Sequence, residues 1–265
     1  MKNGLLEFLL YLVPLYMLVC LILFFIQEKL IFFPEKLPHN YLFSFDGKFE
    51  EIYLPIDKGQ LHAILFKTKQ EKKGVIMYLH GNAGSLRSWG QAAATYNDLG
   101  YDVLMPDYRG YGKSDGRIRN EKQLFRDMQL CLDHLTNNYE RIVILGYSIG
   151  TGPASYLAAN NPVDLLILQA PFISLQDLRR RYFPIFPGFL LRYDMDNKSW
   201  LKEADVPIII FHGEADTVIP FDSSLKLKES LKQVKKFIPI PGQGHNGMTF
   251  HPIYIKNIKR ILNGD

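Results

Sequence analysis

The sequence has little of what marks a metal site, a disulfide framework or a nucleic-acid surface. Its two cysteines, Cys20 and Cys131, share no ligand spacing, and its seven histidines include no H-E-x-x-H motif. We therefore expect no disulfide, no zinc or other metal, and no organic cofactor. The net charge of +4 is mild for 265 residues and the basic residues are scattered, which excludes nucleic acid as a partner.

Disorder is excluded as well, because 47% of the residues are hydrophobic and 22% are charged, as in folded proteins. The length suits one large α/β domain or two small ones. No internal repeat or low-complexity tract is present. The main basic cluster is Arg179-Arg180-Arg181, which we interpret as a solvated helix face in preference to an anionic-lipid contact.

An apolar run extends from Leu5 to Ile26 and is interrupted only by Glu7 and Pro14. At about 1.5 Å per residue it covers roughly 33 Å, enough to cross the hydrocarbon core of a bilayer. The alternative is a cleaved signal peptide, but the run is longer than a usual signal core and no A-x-A-like site follows. We predict a single-pass N-terminal membrane anchor. Basic residues are too evenly balanced around it to decide the side of the membrane.

The domain organisation follows from this run. Residues 1–38 are predicted to form the anchor and an interfacial collar, LIFFPEKLP, and residues 39–265 a single folded domain. That domain opens with an antiparallel hairpin, Phe49–Pro55 and Leu61–Lys67, and then alternates strands with helices. Alternation of this kind predicts an α/β fold with a mostly parallel central sheet and helices on both faces.

One long connection breaks the alternation, at about residues 172–203. It is rich in aromatic residues and prolines, and Gly188 offers a bend. Long connections in compact domains are often functional, so we predict a short lid insertion. The alternative is an irregular pair of surface helices that only pads the fold.

The stretch around Ser148 organises the rest of the chain. Four β-prone residues, Ile142–Leu145, lead into Gly-Tyr-Ser-Ile-Gly, and a helix-capable segment of small residues follows. This G-x-S-x-G pattern is typical of a nucleophile elbow, in which a strained turn exposes the serine hydroxyl. Glycine flanks the serine at Gly146 and Gly150 because a side chain there would collide with the neighbouring strand or helix.

Acyl transfer also needs two N–H donors for the oxyanion, a general base and an acid that orients the base. We predict the backbone N–H groups of Asn82 and Ile149 as the donors, with Ala83 as an alternative to Asn82. Asp216, after the strand VPIIIF, is the predicted acid and Glu214 the fallback. His245, in the loop PGQGHNG, completes the order Ser, Asp, His. His80 is interpreted as structural.

Residues 49–262 resemble an α/β-hydrolase-fold serine hydrolase, on the blocks HGNAG, DYRGYGKSDG, GYSIGTG, HGEAD and GQGHN. With its N-terminal run and LIFFPEKLP, the chain is similar to membrane-anchored α/β-hydrolase-domain proteins. The resemblance implies a serine hydrolase that cleaves esters, thioesters or occasionally amides, and it implies no particular substrate.

Three functions follow from these features. The leading hypothesis is a membrane-anchored esterase or thioesterase acting on an acyl lipid, an acylated protein or a small ester through Ser148, Asp216 and His245. One alternative is a peptidase or amidase with the same three residues. The other is a non-catalytic binding module at the membrane, although such proteins usually lack part of the triad. The expected partners are the acyl substrate and the lipid bilayer, and the oligomeric state stays open.

Overall fold

The computed structural model describes residues 2–264, with side chains from residue 8 onward. Its first element is a long helix, α1 (Lys2–Ile31), which contains Pro14. The stretch Phe8–Ile31 of this helix contains an 18-residue window with a mean hydropathy of 2.8, in which 6% of the residues are buried. Among the described residues, α1 is the one helix whose length and composition are sufficient to cross a membrane.

The centre of the molecule is an eight-stranded sheet in the order β1-β2-β4-β3-β5-β6-β7-β8. Strand β2 runs antiparallel to both of its neighbours, and the other pairs are parallel. The predicted hairpin and mostly parallel sheet are confirmed. The strands are β1 (Lys48–Ile56), β2 (Gly59–Lys67), β3 (Gly74–Leu79), β4 (Tyr101–Pro106), β5 (Ile142–Tyr147), β6 (Leu165–Gln169), β7 (Ile208–Gly213) and β8 (Val234–Ile240).

Helices cover both faces of this sheet, as predicted, and each face has its own apolar core. Strand β3 shows the division, because Met77 faces one core and Ile76 the other, as the two-residue period of a strand requires. The Met77 side is covered by α4, α5, α7 and α8, and the Ile76 side by α2, α3 and α9. The helices are α2 (Leu86–Trp89), α3 (Ala93–Asn97), α4 (Glu121–Thr136), α5 (Thr151–Asn160), α6 (Leu175–Tyr182), α7 (Asn197–Glu203), α8 (Phe221–Ser230) and α9 (Pro252–Asn263).

The segment from Ser85 to Leu99, which the sequence pattern predicts to be helical, is helical from Leu86 to Asn97. The segment is divided into α2, a 3-10 turn at Gly90–Ala92, and α3. The Phe45 ring packs directly against Gly90, where a Cβ atom would clash. Glycine also lowers helix propensity, so the helix tightens at this point.

The connection between β6 and β7 divides into two parts. Helix α7 joins the layer over the sheet, where the Trp200 ring packs edge-on against Phe125 and Tyr156. Residues 175–191 comprise α6 and a 3-10 turn at Gly188–Leu190. Leu175 and Leu178 of α6 pack against the core, and the rest of the segment extends to α1. This second part lies within the predicted lid, residues 172–203.

The collar that follows α1 is bound to the domain by backbone contacts. Pro34 forms a β-bridge with Gly84, and Lys36 forms one with Gly112. Phe32 is only 6% exposed, whereas Phe33 is 54% exposed. Phe32 packs edge-on against Tyr193, with ring centroids 5.3 Å apart, so only Phe33 of this pair is available to an interface.

Candidate active site

A strained turn holds the Ser148 hydroxyl at the end of β5. Ser148 has a φ of +52° and is 6% exposed, in the left-handed region that a side chain adopts at a cost. A Cβ atom on Gly146 would lie 2.6 Å from the Gly150 carbonyl oxygen and 2.7 Å from Ala154 Cβ. Only glycine fits at 146, because α5 begins against the strand that it follows.

Ser148, His245 and Asp216 form one chain of hydrogen bonds, although 97 residues separate the serine from the histidine. His245 Nε2 lies 2.9 Å from Ser148 Oγ, and His245 Nδ1 lies 2.7 Å from Asp216 Oδ2. An ionised carboxylate only accepts hydrogen bonds, so Nδ1 carries the imidazole proton. Nε2 is then free to accept the proton of the serine hydroxyl.

Asp216 is held ionised by its neighbours. Burial alone would raise its pKa, but hydrogen bonds from His212 and His245 outweigh burial and lower the pKa well below its usual range. Its second oxygen, Oδ1, accepts from the backbone N–H groups of Val218 and Ile219 at 2.8 and 2.9 Å. The fallback acid, Glu214, is exposed, so the structure brings Asp216 to the histidine instead.

The backbone N–H groups of the three residues predicted for the oxyanion hole differ in their hydrogen bonding. The Ala83 N–H donates to Asn82 Oδ1 at 2.9 Å, so it is already engaged. In the described part of the chain, no hydrogen bond engages the Asn82 N–H. Ile149 directly follows Ser148 and begins the turn into α5. Asn82 and Ile149 therefore remain the two candidate donors.

The side chain of Asn82 has contacts of its own, with the end of α1. Its Nδ2 donates to the Ile31 carbonyl oxygen at 2.5 Å. Its Oδ1 accepts from the Phe33 N–H at 3.1 Å and from the Tyr111 hydroxyl at 2.9 Å. The loop that follows β3 is thus bound to the N-terminal helix.

His80 is fully buried beneath this loop. Its Nδ1 lies 2.7 Å from the Gly81 carbonyl oxygen, and its Nε2 lies 3.7 Å from Asp107 Oδ1. Burial lowers its pKa, and Asp107 offsets only part of that effect. The position agrees with the structural role expected from the sequence.

Two residues that contact the site were missed by reasoning from the sequence. His212 Nε2 lies 3.3 Å from Asp216 Oδ2, and its Nδ1 lies 2.5 Å from Ser224 Oγ. The Tyr147 hydroxyl donates to the His245 carbonyl oxygen, and burial raises the pKa of Tyr147 to about 12. In the sequence, each of these two residues stands next to a glycine at the end of a predicted strand. That position does not indicate which residue the side chain contacts.

Above Ser148 lies a cavity of about 870 Å³, a volume in the range of small-molecule sites. One wall is the C-terminal half of α1, another is the segment 175–191, and Ser148 and His245 lie at the base. The apolar lining includes Val19, Leu23, Leu30, Leu178, Phe183 and Phe186. Among the described residues, no group of three His, Cys, Asp or Glu side chains could hold a metal ion.

The fold and the comparisons define the class of protein. A family model described as alpha/beta hydrolase fold matches residues 74–201, and the chain belongs to this family. Among its relatives is human alpha/beta hydrolase domain-containing protein 17B, which is 30% identical over 220 residues, covering 77% of this chain and 72% of that protein. An uncharacterized protein of Mycobacterium tuberculosis is 28% identical over 229 residues, covering 83% of this chain and 80% of that protein.

Solved structures share the fold at low sequence identity. The Pyrococcus furiosus esterase Pf2001 superposes with a TM-score of 0.69 at 17% identity, covering 88% of this chain and 97% of that one. Est1E from Butyrivibrio proteoclasticus gives a TM-score of 0.67 at 18% identity, covering 81% and 98%. The chain therefore belongs to the alpha/beta hydrolase fold family, and it shares the fold of these solved structures.

Proposed function

We propose that the protein is a membrane-anchored serine hydrolase that cleaves carboxylic ester or thioester bonds. The observation that carries this proposal is the hydrogen-bonded chain from Ser148 Oγ through His245 to Asp216. It begins at a strained serine and lies at the base of an apolar cavity. These are the parts that nucleophilic catalysis by a serine requires.

The reaction follows from the assigned protons. His245 Nε2 removes the proton from Ser148 Oγ as the oxygen attacks the acyl carbonyl carbon. The negative charge that develops on the carbonyl oxygen is stabilised by the N–H groups of Asn82 and Ile149. His245 then protonates the departing alkoxide or thiolate, which leaves an acyl-serine ester.

Hydrolysis of the acyl-serine ester repeats these steps with water. His245 removes a proton from water, the resulting hydroxide attacks the ester carbon, and Ser148 Oγ departs with the proton returned by His245. The products are a free carboxylic acid and the restored enzyme. Asp216 stays ionised throughout, keeping the Nδ1–H tautomer of His245 and stabilising its charged form.

The cavity favours an apolar acyl group over a peptide. Its lining is mostly aliphatic and aromatic side chains, and Ser148 and His245 are among its few polar groups. Burial of each methylene contributes about 0.8 kcal/mol, so a hydrocarbon chain lying along α1 gains more binding energy than a polar peptide. Within the predicted lid, residues 172–203, we propose that α6 forms the wall of the cavity that holds the acyl chain.

Membrane anchoring by α1 is supported by its exposed apolar side chains. Phe8, Leu10, Tyr11 and Phe25 are each more than 60% exposed. Apolar surface of this extent is stable only when removed from water, and a bilayer does so for a helix of this length.

Labelling with a fluorophosphonate probe tests the proposed function. Detergent-solubilised wild type is compared with Ser148→Ala and His245→Ala, and each variant is checked for folding by circular dichroism. Labelling and ester hydrolysis in wild type, with loss of both in the two variants, is the expected result. Hydrolysis retained by a folded Ser148→Ala variant contradicts the mechanism. A folded wild type that neither labels nor hydrolyses any ester favours a binding module instead.

A further inference from the structure

Part of the lid is an exposed apolar surface. The ten residues from Tyr182 to Leu191, YFPIFPGFLL, carry no charged side chain and lie between Arg181 and Arg192; we call this segment the lid tip. Phe183 is 59% exposed, Ile185 70% and Phe189 81%. Contiguous exposed apolar groups of this kind mark a contact with another protein or with a membrane.

The lid tip lies beside α1. The Tyr16 hydroxyl donates to the Ile185 carbonyl oxygen at 2.6 Å, and Gln27 Nε2 donates to the Leu190 carbonyl oxygen at 3.0 Å. Tyr16 also stacks on Phe186, with ring centroids 6.3 Å apart and planes 3° apart.

These contacts fix where along the helix the lid tip lies. Tyr16 and Gln27 are eleven residues apart, which corresponds to about 16 Å along the helix axis. Both belong to the apolar stretch Phe8–Ile31. The lid tip therefore follows a large part of the length that would lie in hydrocarbon, and it shares the surroundings of α1 there.

Most of the carbonyl oxygens of the lid tip accept hydrogen bonds from donors within the protein. Pro184 and Pro187 have no N–H group to satisfy. Side chains from α6 reach two of the carbonyl oxygens: Arg179 Nη1 donates to Phe186 at 2.6 Å, and Gln176 Nε2 donates to Gly188 at 2.6 Å. In all, six carbonyl oxygens accept hydrogen bonds from protein donors, those of Phe183, Ile185, Phe186, Pro187, Gly188 and Leu190.

This satisfaction is informative because the lid tip is exposed. In water, an exposed carbonyl group needs no protein donor. In hydrocarbon, each unsatisfied backbone group costs several kcal/mol, and irregular backbone is tolerated only when protein satisfies it. The side-chain donors that α1 and α6 direct to these carbonyl oxygens therefore favour a lipid environment for this segment.

Charged side chains lie at the two ends of the lid tip. Arg180 and Arg181 are exposed at the end of α6, with 66% and 50% of their side chains accessible. Arg192 lies at the other end and pairs with Glu28 near the end of α1. Arginine at the border of an apolar segment can extend to the headgroup layer, where anionic lipids attract it.

We propose that the lid tip inserts into the bilayer beside α1 and forms a second membrane contact of the protein. This rests on the proposed crossing of the bilayer by α1. The cavity, which α1 and the lid tip both line, then opens toward lipid. An acyl chain can reach Ser148 from within the leaflet, with no passage through water.

Spin labelling of the full chain in phosphatidylcholine–phosphatidylglycerol vesicles tests the insertion. Cys20 is replaced by alanine, whereas Cys131 is left in place because it is fully buried. Nitroxides are attached to Ile185→Cys and Phe189→Cys, and accessibility to oxygen is compared with accessibility to a nickel chelate. Leu21→Cys serves as the control on α1, where the side chain is 53% exposed. Gln70→Cys is the aqueous control, in the exposed turn before β3.

Insertion predicts oxygen-to-nickel accessibility ratios several-fold higher at positions 185 and 189 than at 70, and similar to the ratio at 21. Ratios at 185 and 189 equal to that at 70, with a high ratio at 21, overturn the insertion and leave the anchor standing. A low ratio at 21 overturns the anchor itself and the insertion with it. Circular dichroism of each labelled variant confirms that the comparison is made on folded protein.

Discussion

The side-chain amide of Asn82 donates a hydrogen bond to the carbonyl oxygen of Ile31, the last residue of α1, at 2.5 Å. The carbonyl groups at the end of a helix lack partners within the helix, so this bond caps α1 from the domain. Asn82 also supplies one of the two proposed oxyanion N–H groups. The position of that N–H group therefore depends on contact with the N-terminal helix.

We expect Asn82→Ala to lower kcat by about ten- to a hundredfold. This decrease is no larger than the one caused by removing an oxyanion donor completely. The backbone N–H group remains, but the bonds to Ile31, Phe33 and Tyr111 that fix its direction are lost. KM for a short soluble ester should change little, since the apolar lining of the cavity is unaltered. Steady-state kinetics with p-nitrophenyl acetate measures both constants.

The matched control is Tyr111→Phe, which removes one of these bonds and keeps the other two. Its kcat is expected to lie near that of wild type. An equal loss of kcat in both variants would contradict the link to α1, because the Ile31 bond is intact in the control.

Asp216→Asn should reduce kcat by about 10⁴-fold, since an amide can hold the wrong imidazole tautomer. Glu214→Gln provides the comparison two residues away, on an exposed side chain, and should leave kcat unchanged. Rates with p-nitrophenyl butyrate decide between the two acids. A large loss in the Glu214 variant alone would show that the fallback acid is the one in use.

Leu23→Trp should shorten the acyl chain that the enzyme accepts, because Leu23 lines the cavity from α1. Excluding about three methylenes, at about 0.8 kcal/mol each, lowers kcat/KM for a hexadecanoyl ester roughly 50-fold. The acetyl ester should be hydrolysed as before. Rates over a series of p-nitrophenyl esters of increasing chain length give the comparison.

Leu21→Trp is the control on the same helix, since the Leu21 side chain is 53% exposed and is absent from the described lining of the cavity. It should retain the wild-type chain-length profile. If both tryptophan variants change the profile alike, a general effect on α1 and not the cavity wall is responsible.

The buried His80 predicts a pH dependence of stability. Burial lowers its folded-state pKa below the ordinary value of about 6.5. As the pH falls below that value, the unfolded chain takes up a proton that the folded protein resists, so the free energy of unfolding decreases. This contribution is complete above the unfolded-state pKa and is lost as the pH falls toward the folded-state pKa.

Chemical unfolding in detergent between about pH 7.5 and about pH 5.5 measures the effect. His80→Asn should reduce the slope of stability with pH by up to about 1.4 kcal/mol per pH unit. His39→Asn, at a side chain that is 58% exposed, controls for loss of any histidine. An unchanged slope in the His80 variant refutes the prediction.

Local patterns predicted the sheet and its helices, and they pointed to Ser148, Asp216 and His245, which hydrogen bonds join in the structure. Each of these depends on short-range signals, such as β-prone runs and the glycines that flank a turn. The contacts of α1 could not be predicted in the same way. Tyr16 binds Ile185, and Asn82 binds Ile31, through single hydrogen bonds between segments with no shared period or motif.

The contacts of His212 and the break at Gly90 escaped prediction for a related reason. The sequence around His212 does not indicate which residues its two ring nitrogens contact. The close approach of Phe45 to Gly90 depends on how the chain before β1 folds back, and no helix propensity contains that information.

The bond between Tyr16 and Ile185 joins residues that are 169 positions apart. A ribosome adds about 5 to 20 residues per second, so roughly 8 to 34 s separate the synthesis of the two partners. During that interval α1 exists without the segment that later covers its cavity-facing side. The cavity is therefore completed late in synthesis of the chain. A stalled or truncated product carries α1 without an assembled site.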